Sequence, residues 1–267
     1  MKRNIAIKIS YDGTCFHGWQ FQKNAKTVQE TLQIAWKKLT SEEINLVGSS
    51  RTDAGVHAKS LIANFITTTT IPTEKIHLAW NTYLPEGLSV VSALDVSPEF
   101  NARFDSIGKF YSYYLYLSSS KPTYLRNLTA YVSEKLNIVD MQKATQFFVG
   151  EKDFSSLMDQ GSPVQSTVRK IIDTRVELIS PQILRIDIIG NAFLYHMVRI
   201  IVGTLLYVGN GKIECERLPH LLKTGDRRLM GKTMPPQGLF LNKVFYNQKL
   251  FGSDSLKDFN ILSRNPE

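Results

Sequence analysis

Cysteine is scarce in this chain: of 267 residues only Cys15 and Cys215 are cysteines, far apart and neither in a C-x-x-C pair. No zinc knuckle or disulfide framework can be read from them, and a reduced, cytoplasmic compartment fits. The histidines, His17, His57, His77, His196 and His220, show no metal-ligand spacing, and the chain has no Walker loop, G-x-G-x-x-G or G-x-S-x-G. Metal, nucleotide and serine-hydrolase readings therefore fall away. Long apolar runs are missing too. The start, "MKRNIAIKISYDG", has no stretch suited to a signal peptide, so export is not expected. The most apolar stretch, "NAFLYHMVRIIVGTLLYVGNG", is interrupted by His196 and Arg199, which favours a helix buried in protein over a membrane span. Acidic residues are also in deficit, 24 against 32 Lys plus Arg, giving a net charge of +8. Such a balance suits a polyanionic partner, although a basic surface also serves solubility.

Hydrophobic residues make up 43% of the chain, a globular value, and periodicity assigns most of it. Ile5, Ile7 and Ile9 alternate with other residues as in a half-buried strand. In "KTVQETLQIAWKKL", Thr27 and Glu30 have capping-box spacing, and Val28, Leu32, Ala35, Trp36 and Leu39 share a helical face. "INLVGSS", "SLIANFITT" and "GLSVVSALDVS" read as strands, the first two flanking a polar loop. Beyond them the aromatic strand "GKFYSYYLYL" leads through a weaker strand near "LTAYVS" to a helix in "VDMQKATQFFVG" ending on Gly150. Strands are expected at "VRKIIDTRVELI" and "ILRIDIIG", a buried helix from Asn191 to about Val208, a short helix near "CERLPHLLKTG" and a last strand "LFLNKVFY". This order predicts an α+β chain of two similar halves, residues 1–106 and 107–246, with a polar tail at 247–267 and sheets that could join.

The flanked loop is "GSSRTDAGVHAKS", and Asp53 in it has two readings. It is a turn residue that caps backbone N–H groups beside Gly55, or it is a reactive carboxylate kept ionised by an arginine such as Arg51. Spacing alone does not choose. Arg199 lies in a helix apolar almost all round, so its guanidinium needs a partner, snorkels to the surface, or reaches a cleft. His57 reads as a loop-shaping hydrogen-bond partner and His196 as a satisfied interior residue. On the aromatic strand, Tyr111 and Tyr113 share one face, and Phe110, Tyr114 and Tyr116 the other. Most of these rings are packing, yet aromatics beside basic residues also stack unpaired bases. "FNARF" adds Phe100, Asn101 and Arg103, and "PVQSTVRK" adds Gln165, Ser166 and Arg169, as contacts suited to a nucleic-acid backbone.

These residues form blocks, and the blocks resemble a known family. "SRTDAGVHA" is similar to the nucleophile motif of the tRNA pseudouridine synthase I family, usually Gly-Arg-Thr-Asp-Ala-Gly-Val-His. "KISYDGTCFHGWQ", "FNARFDSIGKFYSYYLY", "GEKDFSSL", "GNAFLYHMVRIIVG" and "MPPQGLFLNKVFY" resemble further family blocks in family order, over about residues 3 to 246. Ser50 departs from the pattern, standing where the family commonly has glycine, and restricts positive φ at that point.

The resemblance implies isomerisation of uridine to pseudouridine in the anticodon arm of tRNA, at positions 38 to 40, by a homodimer that binds tRNA across both subunits without metal or organic cofactor. It implies two ferredoxin-like α+β halves whose antiparallel sheets join around a central catalytic cleft. Asp53 becomes the catalytic aspartate, Arg199 its partner and Tyr111 the active-site tyrosine. Arg51 and Thr52 complete the loop, with Arg51 orienting it or gripping a phosphate. A single carboxylate suffices, because it can trap an electron-poor C1′ while uracil departs as a delocalised anion. Whether Asp53 attacks the sugar, adds to the pyrimidine or promotes elimination stays open. Tyr111 could stack on the base and relay the C5 proton, a base role that depends on its surroundings because an ordinary phenol has a pKa of about 10. Two rivals stand beside this reading: a non-catalytic tRNA-binding or folding protein on the same scaffold, and a synthase with another RNA target.

Overall fold

In the computed structural model, residues 2–161 and 164–252 are described. The chain is a mixed α+β protein with a large sheet, and its contacts divide it into two compact units. One comprises Met1–Gly108 with the chain from Leu241 on, the other Lys109–Phe240.

The first unit runs β1 (Arg3–Tyr11), α1 (Val28–Thr40), β2 (Val47–Gly48), β3 (His57–Thr67), α2 (Thr73–Asn81) and β4 (Leu88–Val96). Its strands are antiparallel, with β1 between β4 and β3 and with β2 paired to β3. The α1 start is the one the sequence predicts: Thr27 is the N-cap, and its side chain accepts from the Glu30 N–H. Val28, Leu32, Ala35 and Trp36 are buried and Leu39 is half-buried. Trp36, Phe65 and Trp80 pack with centroids 4.5 to 5.4 Å apart, tying both helices to β3 at Phe65, which pairs with Ile5 of β1. Each such ring removes enough apolar area to stabilise the unit by roughly 4 kcal/mol. The strand expected at "INLVGSS" shrinks to the two residues of β2, because Ser49 turns away and clasps Ile62 in both directions across its backbone and hydroxyl.

The second unit runs β5 (Ser106–Leu117, its first residues belonging to the other unit), β6 (Ala130–Val132), α3 (Ile138–Thr145), β7 (Gly150–Asp153), β8 (Val168–Ser180), β9 (Ile183–Gly190), α4 (Met197–Gly209) and α5 (Leu218–Lys223). Its strand order is β5-β9-β8-β7, antiparallel, with β6 parallel on β5. Two helix limits differ from expectation. The α3 helix stops at Thr145 instead of Gly150: the next residues form turns, and Gly150, at φ +107, opens the unexpected strand β7. The α4 helix starts at Met197 instead of Asn191. Asn191 bonds instead to the backbone of Lys170 and of Ala192, and His196 takes a left-handed φ of +61. His196 is thus half-buried at the helix start and not an interior helical residue. From Met197 onward the helix is apolar and buried on nearly every side.

The last strand, β10 (Leu239–Tyr246), lies beside β3, which is why the chain from Leu241 groups with the first unit and not with the stretch preceding it. Among the described residues no helix is long and apolar enough to cross a membrane. Of the expected tail at 247–267, the part from residue 253 lies outside the described residues, as does Pro163 of the "PVQSTVRK" stretch.

Candidate active site

In the first unit, Asp53 sits on the connection between β2 and β3, as predicted, on a loop that the segment after β1 grips through its backbone. The Trp19 N–H donates to the Thr52 carbonyl at 3.1 Å, the Gly55 N–H to the Phe16 carbonyl at 3.4 Å, and the Val56 N–H back to the Asp53 carbonyl at 3.1 Å. Gly18 makes this approach possible: it holds φ +84, and a Cβ there would lie 2.6 Å from the Thr52 carbonyl oxygen. Gly55, at φ +81, turns the loop into β3. The Thr52 hydroxyl is buried against the Tyr11 hydroxyl at 2.7 Å. His57 is buried and shapes the loop, its Nδ1 accepting from the Gly13 N–H at 3.2 Å. Asp53 itself is half-buried and Arg51 exposed. Ser50 is not among the described residues with positive φ, so serine is accommodated there without backbone strain.

In the second unit, Arg199 occupies the first turn of α4 and is bound twice to Met234. Its Nε donates to the Met234 carbonyl at 2.6 Å, and its own carbonyl accepts the Met234 N–H at 3.3 Å. The next carbonyl, of Pro235, accepts from the Tyr113 hydroxyl at 2.6 Å. Burial pushes the Tyr113 phenol well above the usual range, opposed by the charge of Arg199. Tyr111, also buried, packs edge-on against Phe193 with centroids 5.2 Å apart.

A tRNA pseudouridine synthase family model matches residues 7–105 and 144–247 of the chain. The tRNA pseudouridine synthase A of Thermoanaerobacter sp. (strain X514) is 48% identical over 244 residues, covering 91% of this chain and all of the relative. The chain belongs to the tRNA pseudouridine synthase family. A second family member, the tRNA pseudouridine synthase A of Acetivibrio thermocellus, is 44% identical with the same coverage. A solved Cbf5-Nop10-Gar1 complex aligns with 90% of this chain and 59% of its own at 13% identity and a TM-score of 0.36, which adds nothing to the assignment. The family match includes the Asp53 loop and Arg199, while Tyr111 falls between its two segments.

The remaining residues predicted for the site lie on two short stretches, one in each unit. Phe100 is buried in the first unit, its ring against Tyr246 and its carbonyl accepting from the Asn4 and Asn64 amides. Asn101 caps a turn by accepting from the Arg103 and Phe104 N–H groups. Arg103 is exposed, with its guanidinium over the ring of Phe104. In the second unit Gln165 and Ser166 are exposed, and Arg169 folds back to donate to the Ser166 and Val168 carbonyls. Sequence reasoning missed Tyr11, Gly18, Met234 and the hydroxyl of Tyr113. All four lie inside blocks that resemble the family, Tyr11 and Gly18 in "KISYDGTCFHGWQ", Tyr113 in "FNARFDSIGKFYSYYLY" and Met234 at the start of "MPPQGLFLNKVFY", but nothing in those blocks showed which residues they would meet.

Proposed function

We propose that this chain isomerises uridine to pseudouridine in the anticodon arm of tRNA, at positions 38 to 40, with Asp53 as its catalytic carboxylate. The isomerase class and the tRNA substrate follow from membership of the family. The observation that carries Asp53 is the grip on its loop. Backbone hydrogen bonds from the segment after β1 and a buried hydroxyl pair fix the turn, so the carboxylate is presented by a rigid frame, as an electrostatic or nucleophilic group requires.

In this reading the target base leaves its stack, at a cost of a few kcal/mol offset by phosphate contacts and stacking. The N1–C1′ bond breaks, the uracil turns, a C5–C1′ bond forms, and the C5 proton leaves as N1 gains one, so the reaction needs no other reactant. Arg199 pairs with Asp53, Tyr111 stacks on the base and relays the C5 proton, and Arg51 orients the loop or holds a phosphate. Thr52 supports the loop. Asn101, Arg103, Gln165, Ser166 and Arg169 contact the RNA backbone, and Phe100 shapes the turn that presents Arg103. With this go two ferredoxin-like halves joined around a central cleft and a homodimer, as the family resemblance implies, and a cytoplasmic location, which the scarcity of cysteine suits.

The test is Asp53→Asn on unmodified tRNA transcripts, mapping pseudouridine by position and measuring binding in parallel. Product at 38 to 40 with the unaltered chain alone, and binding kept in the variant, supports the reading. Binding without product by the unaltered chain points to a tRNA-binding protein, and product elsewhere to another target.

A further inference from the structure

The Asp159 carboxylate is the centre of a cluster that the proposed chemistry does not use. Its Oδ2 lies 2.8 Å from His196 Nδ1 and accepts from the Thr233 hydroxyl at 2.6 Å, and its Oδ1 accepts from Arg227 Nε at 2.8 Å. The Arg227 guanidinium also donates to the Gly231 carbonyl at 2.8 Å and to the Thr233 hydroxyl at 2.9 Å. Three distant stretches, around residues 159, 196 and 227 to 233, thus meet on one side chain. Each of the three charged or titratable side chains keeps less than a third of its surface exposed.

What these stretches have in common is Arg199. His196 is the residue before α4, and its carbonyl accepts the Ile200 N–H at 3.0 Å, setting the first turn in which Arg199 lies. Thr233 precedes Met234, whose backbone binds Arg199 through both its carbonyl and its N–H. The strap from Gly231 to Pro235 lies directly on the helix: the Gly231 N–H donates to the Thr204 hydroxyl at 3.0 Å, and a Cβ on Gly203 would come within 1.9 Å of the Lys232 carbonyl oxygen. The strap is therefore fixed against α4 at Gly231 and Met234, and Asp159 clamps both the residue before Met234 and the residue that starts the helix.

We infer that Asp159 is a positioning residue for Arg199, holding the helix start through His196 and the strap through Thr233 and Arg227 so that the guanidinium keeps one orientation. The inference rests on the reading of Arg199 as partner of the catalytic carboxylate. Arg199 meets the Met234 carbonyl through Nε, so rotation of that carbonyl turns the guanidinium plane. Loss of the clamp costs orientation more than binding, since a misplacement of about 1 Å in a reacting group can cost on the order of 100-fold.

The test is a double-mutant cycle on the full chain with Asp159→Asn and Arg199→Lys, reading single-turnover pseudouridine formation and tRNA affinity separately. Asp159→Asn is expected to slow the single-turnover rate about tenfold with affinity unchanged, and to add little in the Arg199→Lys background, because residues acting as one unit are not additive. Full additivity, or an unchanged rate in Asp159→Asn, overturns the inference while leaving the reading of Arg199 intact. An unchanged rate in Arg199→Lys overturns both. Should Asp159→Asn not fold, Thr233→Val removes one donor of the clamp and is judged by the same cycle.

Discussion

The hydroxyls of Tyr11 and Thr52 meet at 2.7 Å, both side chains buried, and Thr52 is the residue before Asp53. This contact ties the proposed catalytic loop to the end of a central strand. Tyr11→Phe leaves the Thr52 hydroxyl buried without this partner, which costs about 1 to 2 kcal/mol. Urea unfolding should show that loss, and single-turnover pseudouridine formation should slow about tenfold with tRNA affinity kept. An unchanged rate would mean that the loop holds its shape without the hydroxyl pair.

Gly18→Ala tests the same frame from the other side. Its Cβ would lie 2.6 Å from the Thr52 carbonyl oxygen at φ +84, so backbone must move and a left-handed alanine must be tolerated. The expected result is a loss of about 2 to 3 kcal/mol in unfolding free energy together with a large loss of rate. If stability fell and the rate held, the grip on the loop would serve folding alone.

The Asp53 loop could be read in the sequence because its residues are contiguous and bounded by two strands, and α1 because cap and periodicity agree at Thr27. The limits of α4 and α3 could not. Apolar residues continue before Met197, and only the left-handed backbone of His196 and the side-chain bonds of Asn191 stop the helix there. Strand β7 is short and polar, so no alternation announces it. The Asp159 clamp is assembled from three stretches that tertiary packing brings together, and Asp159 alone looks like any surface acid. The last strand likewise pairs with a segment far earlier in the chain. Local chemistry is visible in a sequence, whereas partners set by long-range closure are not.

The clamp also makes an acid-stability prediction. Burial by itself would raise the Asp159 carboxyl, but bonds from Thr233, His196 and Arg227 and the Arg227 charge outweigh it and hold the pKa at about 2, below the usual 3.8. Because the folded value is depressed, the unfolded chain binds more protons between the two values and stability rises with pH there. The contribution is complete above about pH 4 and is lost as pH falls toward 2. Asp187, which burial raises, titrates with the opposite sign, so the comparison must be made between variants. Asp159→Asn should flatten the urea midpoint against pH in this window, and an unchanged slope would show that the carboxylate gains nothing from its donors.

Two tyrosines of β5, Tyr111 and Tyr113, separate packing from chemistry. The Tyr113 hydroxyl is committed to the Pro235 carbonyl at 2.6 Å, and burial raises its phenol far above the range in which it could take a proton. Tyr113→Phe should therefore lose about 1 kcal/mol of stability and little rate. Tyr111→Phe keeps the ring that packs on Phe193 and removes only the hydroxyl. If that hydroxyl relays the C5 proton, the rate should fall on the order of 100-fold with tRNA affinity nearly unchanged. Release of tritium from tRNA labelled at uridine C5, set against cleavage of the N1–C1′ bond in the same reaction, isolates the step. Slow release in Tyr111→Phe alone assigns the relay to Tyr111, and normal release would reduce its role to stacking, because a phenylalanine ring stacks on a base as well as a tyrosine does.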